Sequence, residues 1–410
     1  MRSVTTRLVP FVLVLALIAA ACGDDADEAA VATSTTTTIS TTTTPTTVST
    51  TTTTTIGPEP LRINDLQVLG SHNSYHLRPE PDVYAAIELV SRELAESIDY
   101  SHRSLTEQLE EFGVRQFEID VFADPDGGLY ASRQALPVVG LPAESGLPEL
   151  DEPGFKVLHT QDFDFGTTCL TLQLCLGEIV AWSDANPDHV PLMIMIELKE
   201  ESVPAAAAAS DLELPDLGIA WTEPIPTDAA VLDALDAELI EAVGLDRIIR
   251  PDDVRGERAT LEEAVIADGW PTIEESRGMV MFAMVNTGAA RDLYRVPSAI
   301  LEGRVMFTTS SPGDPDAAFL RIDDPVDGAA EIARRAAEGY LIRTRTDSPT
   351  ADARTGDTTR REAAVGSGAQ YLSTDYYVAD PSFGTGYVVD VPAVCNPVTA
   401  PVECDLQLVR

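Results

Sequence analysis

LMIMIELK, residues 192–199, is the run whose reading decides the fold. Leu192 through Ile196 is apolar at every position, not at every second one, so a strand here must be covered on both faces. MVMFAMV at 279–285 has the same character. Such runs belong to parallel sheets with helices on either side. Working outward, strand-like runs fall at about 66–71, 116–122, 156–160, 304–309, 339–345 and 370–375. Helix-like, Ala- and Glu-rich stretches separate them, among them DVYAAIELVSRELAESI, SLTEQLEEFG and DGAAEIARRAAEG. Eight strands alternating with helices predict a (β/α)8 TIM barrel. A doubly wound open sheet is the alternative, disfavoured because no Gly-rich phosphate loop follows any strand. Residues 201–275 exceed one crossover and are expected as an insertion after the fourth strand. The tail beyond Tyr377 is expected to close over one end.

Active sites of such barrels lie at the C-terminal ends of the strands. LGSHNSYH (69–76) puts His72 and Asn73 at one such end, QFEIDVF puts Glu118 and Asp120 at another, and FKVLHT and LMIMIELK add His159 and Glu197. Glu118 and Asp120 are two apart and share a face. Two carboxylates facing a barrel interior repel unless neutralised. A hard cation is the natural solution, and Asn73 with Glu197 completes an oxygen shell suited to Ca²⁺ more than to Mg²⁺. The bland alternative pairs these acids with Arg115 or Arg345. His72 and His159 are candidates for paired proton transfer at a phosphate. His76, His102 and His189 read as structural or rim residues. Arg345 is a candidate anchor for phosphate or hydroxyl groups and Asp375 for substrate hydroxyls, although a salt bridge between them would explain both. There is no GxSxG elbow and no HExxH helix.

The 410 residues carry a formal net charge of −40, which argues against nucleic-acid binding. Residues 1–21 resemble a signal peptide: Arg2, Arg7, then an apolar run too short for a confident membrane span. Ala19, Ala20 and Ala21 before Cys22 resemble a bacterial lipobox, which implies lipid on the Cys22 sulfur and export to the outer face of the cell membrane. A plain signal peptide and a secreted protein is the alternative. Residues 22–57 are acidic, then Thr-, Ser- and Pro-rich. They have no apolar face to bury and read as a solvated stalk. The folded domain is expected over 58–410. In an exported chain the remaining cysteines suggest Cys169–Cys175 and Cys395–Cys404 disulfides, with zinc ligation the weaker rival. Lys156 and Lys199 are the only lysines, and each lies within three residues of a candidate site residue.

LGSHNSYH, QFEIDVF, FKVLHTQDFDF, HVPLMIMIELK, GYLIRTRTD, SGAQYLSTDYY and CNPV together resemble the bacterial Ca²⁺-dependent phosphatidylinositol-specific phospholipase C group, within the TIM-barrel phosphodiesterase superfamily. The resemblance runs in order over nearly all of 64–400. It implies catalytic His72 and His159, Ca²⁺ ligands Asn73, Glu118, Asp120 and Glu197, and Lys199 near the phosphate. It implies attack of an inositol 2-hydroxyl on phosphorus, with His72 or a liganding carboxylate as base. His159 would protonate the departing diacylglycerol oxygen, leaving a cyclic inositol phosphate. The sequence departs from the group at Tyr376–Tyr377, where a Pro is commoner, and in the Ala- and acid-rich 201–227 loop. A glycerophosphodiester phosphodiesterase and a non-catalytic, surface-anchored binding lipoprotein are the alternatives. A monomer is expected.

Overall fold

The computed structural model describes residues 60–209, 218–402 and 404. The signal-like run 1–21, Cys22 and the tract 22–57 lie outside the described residues. The strands are β1 (Leu66–Ser71), β2 (Gln116–Phe122), β3 (Lys156–Val157), β4 (Leu192–Leu198), β5 (Val280–Met284), β6 (Met306–Thr308), β7 (Phe319–Arg321), β8 (Leu341–Arg345), β9 (Tyr371–Thr374) and β10 (Val394–Cys395). Eight of them lie in the order β6-β5-β4-β2-β1-β9-β8-β7. A parallel bridge from Thr309 to Phe319 joins β6 to β7 and closes the barrel. The expected (β/α)8 architecture is therefore present, and β4, the fourth strand in the chain, is followed by the insertion.

The membership of the barrel differs from the expectation at two places. The run at 156–160 forms only the two-residue β3, antiparallel to β2. A parallel neighbour needs a crossover helix, and residues 123–155 hold only short 3-10 turns at Leu136–Val139 and Pro148–Leu150. The eighth barrel strand is instead β7, a three-residue run followed by acidic residues. It is too short for periodicity to reveal.

Local chemistry explains where the outer helices begin. Ser104 caps helix Leu105–Glu110, accepting from the Glu107 N–H, while the Glu107 carboxylate returns to the Ser104 N–H. Thr171 and Asp324 cap Leu172–Ala185 and Pro325–Glu338 by accepting from first-turn N–H groups, without the returning carboxylate, and the latter helix stops at Gly339 in the left-handed region. The tail, expected to close over one end, reaches both: Tyr387 OH donates to Thr346 O just beyond β8, and β10 pairs antiparallel with the start of β1 at the opposite end. Both expected disulfides are present, Cys169–Cys175 and Cys395–Cys404. Among the described residues no helix is long and apolar enough to cross a membrane.

The loops after β1 and β3 are stitched to each other. Leu77 N–H donates to Gly166 O at 3.0 Å, and Thr168 N–H to Tyr75 O at 2.8 Å. The approach is so close that a Cβ at Gly166 would lie 2.4 Å from the Leu77 carbonyl oxygen. Gly166→Ala should therefore cost about 1–3 kcal/mol in denaturant unfolding. Gly177→Ala, on an exposed helical site with nothing within 4 Å, should stabilise by about 0.5–1 kcal/mol. Equal effects would count against the stitched seam.

Candidate active site

The strand register builds the acidic cluster. On the paired strands β2 and β4, Asp120 stands opposite Glu197 and Glu118 opposite Met195. Period-two alternation then sends Glu118, Asp120 and Glu197 to the same side. One carboxylate oxygen from each lies within 4.8 Å of the others. Arg343 Nη2 donates to Glu118 Oε2 at 2.6 Å. Because β1 and β9 separate β2 from β8 in the sheet, that contact crosses the barrel, and both side chains face its interior.

Each acid has a cation beside it, but not the ones expected. Arg343 serves Glu118 and also bonds Asp323. Lys199 Nζ lies 2.7 Å from Glu197 Oε1 and 3.1 Å from Asp120 Oδ2. Arg115 instead donates to the Leu109 and Val114 carbonyls, and Arg345 Nη2 bonds Asp375 Oδ2 at 2.8 Å. These cations do not fully offset the crowding. Burial pushes the Asp120 carboxyl well above the usual carboxylate range, and Glu197 and Glu118 add to the rise against the pull of Lys199. Burial also raises Glu118 against Arg343. Burial likewise works upward on Glu197, but there Lys199 prevails and the carboxyl is held down.

Asn73 sits beside this cluster through its neighbour: Ser74 N–H donates to Glu118 O, and Glu118 N–H to Ser74 Oγ, both at 2.8 Å. Asn73 adopts φ 43°, a left-handed conformation that Asn tolerates better than most residues. Its amide nitrogen donates to Tyr100 OH at 3.1 Å, leaving Oδ1 as a buried acceptor without a donor. Asp120 Oδ1 is in the same condition. A cluster of three carboxylates with a buried acceptor lacking a donor fits a hard divalent cation such as calcium.

His72 is placed by the β1–β9 register, in which Ser71 pairs with Thr374, so that the next residues, His72 and Asp375, meet. His72 Nδ1 lies 3.0 Å from Asp375 Oδ1, and Nε2 lies 3.9 Å from Glu118 Oε1. Burial, then Arg345 and Arg343, hold His72 well below the usual imidazole range. A neutral ring that donates Nδ1–H to Asp375 presents a proton acceptor at Nε2. His102, expected to be structural, donates Nε2–H to the His72 carbonyl at 2.7 Å and contacts Tyr377 OH at 3.2 Å. Burial lowers it to about 4. It thus fixes the His72 backbone while staying neutral.

His159 Nδ1 lies 2.7 Å from Asp164 Oδ2. Burial lowers His159, against the upward pull of Asp164. His159, Glu197 and Lys199 line a cavity of about 330 Å³, whose other walls include Arg321, Asn286 and Val203. Arg345 and Asp375 are bound to each other, the pairing foreseen as the bland alternative. Lys156 takes no part: it is buried against Asp124 and the Gly154 carbonyl. His189 is structural as expected, between Ser183 and the Val190 carbonyl. His102 has the structural role expected of it, whereas the contact of His76 and His159 with Asp164 was not foreseen from the sequence. Asp164 was within the run HTQDFDF, but nothing in its spacing marks it.

A family model described as Ca²⁺-dependent phosphoinositide phospholipase C matches residues 61–401. No curated protein matches the chain by sequence. Among solved structures, it is similar to a Ca²⁺-dependent phosphatidylinositol-specific phospholipase C from Streptomyces antibioticus, with 17% identity and TM-score 0.47 over 82% of this chain and 99% of that one. A calcium-dependent phosphoinositol-specific phospholipase C from a Gram-negative Pseudomonas sp. gives 13% and 0.47 over 82% and 95%. A glycerophosphoryl diester phosphodiesterase from Parabacteroides distasonis gives 11% and 0.30 over 76% and 84%. On the family match over nearly the whole described barrel, the chain belongs to the Ca²⁺-dependent phosphoinositide phospholipase C family.

Proposed function

We propose that the enzyme cleaves phosphatidylinositol-like diesters through two proton transfers, at His72 and His159, beside calcium held by Asn73, Glu118, Asp120 and Glu197. One observation supports this most. Two buried histidines, each tied through Nδ1 to its own carboxylate, accompany an all-oxygen acidic cluster. Bound calcium supplies positive charge that binds the phosphate and lowers the pKa of the attacking hydroxyl.

The protein's residues do the rest. Asp375 orients His72, and Nε2 takes the proton of the inositol 2-hydroxyl as that oxygen bonds to phosphorus. His159 Nε2 gives a proton to the diacylglycerol oxygen as its bond to phosphorus breaks. One proton is taken and one is given, and the products are a cyclic inositol phosphate and diacylglycerol. Lys199, on the cavity wall, supports phosphate oxygens. Arg345 balances Asp375, keeping that carboxylate available to His72.

The test is incubation with phosphatidylinositol, with and without EGTA. Cyclic inositol phosphate should form only with calcium, and undiminished turnover in EGTA would remove the metal assignment. His72→Ala and His159→Ala should each lose at least ~10²-fold in kcat while remaining folded. Full activity in either would take that histidine out of the mechanism.

Export and anchoring are part of the same proposal, supported by Arg2, Arg7, the apolar run, Ala19–Ala21 before Cys22 and the Thr-rich stalk. A lipid on Cys22 would hold the barrel near its substrate. In producing cells Cys22→Ser should move the protein from the membrane fraction to the medium; retention in the membrane fraction would argue against the anchor.

A further inference from the structure

We propose that Asp164, clamped by His76, is the positioning carboxylate that holds His159 as proton donor to the leaving oxygen. This rests on the role given to His159 above. The chain builds Asp164 into place with a closed turn. Thr160 N–H donates to Asp164 O at 2.8 Å, and Asp164 N–H to Thr160 O at 3.1 Å. Asp162, between them, has φ 75° in the left-handed region. Its carboxylate accepts from Gln134 N–H at 3.0 Å, Thr222 N–H at 2.9 Å and Thr222 Oγ1 at 2.8 Å. A strained residue tied to two separate segments fixes the turn, and the turn returns Asp164 to the His159 ring five residues before it.

His76 approaches from the loop after β1, across the Gly166 seam. Its Nε2 lies 3.0 and 3.1 Å from the two Asp164 oxygens. Its Nδ1 faces the Tyr100 carbonyl at 3.2 Å, so both ring nitrogens point at acceptors. The His76 and His159 rings meet edge to face, with centroids 5.7 Å apart. His76 and Asp164 are wholly buried. Burial pushes the Asp164 carboxyl up, but His76 and His159 together reverse this and hold it below the usual range. A buried imidazole sheds its proton readily. The Asp164 hydrogen bond is the largest effect opposing that loss at His159.

The geometry also selects which proton moves. With Nδ1–H committed to Asp164, the transferable proton is on Nε2. The electrons of the breaking P–O bond go to the leaving oxygen, which takes that proton. His159 becomes a neutral ring with its other proton still on Nδ1, and Asp164 stays a carboxylate throughout. A merely structural role for the triad predicts losses that ignore the leaving group.

The test uses the full chain with calcium and two substrates. Phosphatidylinositol has an alkoxide leaving group that needs the proton; 4-nitrophenyl myo-inositol 1-phosphate releases a phenolate that does not. Asp164→Asn should lose ~10²-fold in kcat on the lipid with KM unchanged, and less than ~3-fold on the aryl ester. His76→Gln should show the same contrast more mildly, and provides the comparison if Asp164→Asn fails to fold. Equal losses on both substrates would overturn the inference. So would wild-type rates of Asp164→Asn on the lipid; if His159→Ala is then still slow, the role of His159 stands without it. A fully active His159→Ala would overturn both.

Discussion

Everything at the mouth of this barrel follows from burying three carboxylates side by side. Asp120 and Glu197 are register partners on adjacent strands, and Glu118 is one strand repeat back on the same face. Like charges at this spacing in a low-dielectric interior are costly unless paired. The chain answers with Arg343 reaching across the barrel and Lys199 bridging two acids. The answer is incomplete: Asp120 is held well above its ordinary range, and two acceptor oxygens have no donor. A divalent cation bound between them would relieve both conditions.

The histidines show a second economy of design. Each is oriented through Nδ1 by a carboxylate, and each carboxylate is itself held by a further group, Arg345 for Asp375 and His76 for Asp164. A ring supported this way keeps its geometry without help from substrate. The two supports come from different places. Asp375 arrives by strand register, whereas Asp164 arrives by a local turn and an interloop seam.

That difference explains what could be read from the sequence. Strand ends are visible as apolar runs that stop at polar residues, so the places of His72, Asn73, Glu118, Asp120, Glu197 and Asp375 at strand ends were legible, though not the contact of Asp375 with His72. The barrel itself followed from runs apolar on both faces. Contacts between non-adjacent strands and between loops leave no periodic trace. Hence Arg343, not Arg345, faces Glu118, and the Asp164 contacts of His76 and His159 went unmarked. The three-residue β7 gave too little pattern to be seen. The run at 156–160 looked like a barrel strand because apolar alternation does not say which way a neighbour runs.

The most direct measurement is a calcium titration of the chelator-stripped chain by calorimetry, repeated in buffers of different ionisation enthalpy. One ion per chain should bind with release of protons, because burial raises the Asp120 carboxyl and a proton there competes with the metal. Apparent affinity should therefore weaken as pH falls, by up to about tenfold per unit, and both Asp120→Asn and Glu197→Gln should weaken binding. Absence of binding, or binding indifferent to both substitutions, would contradict it.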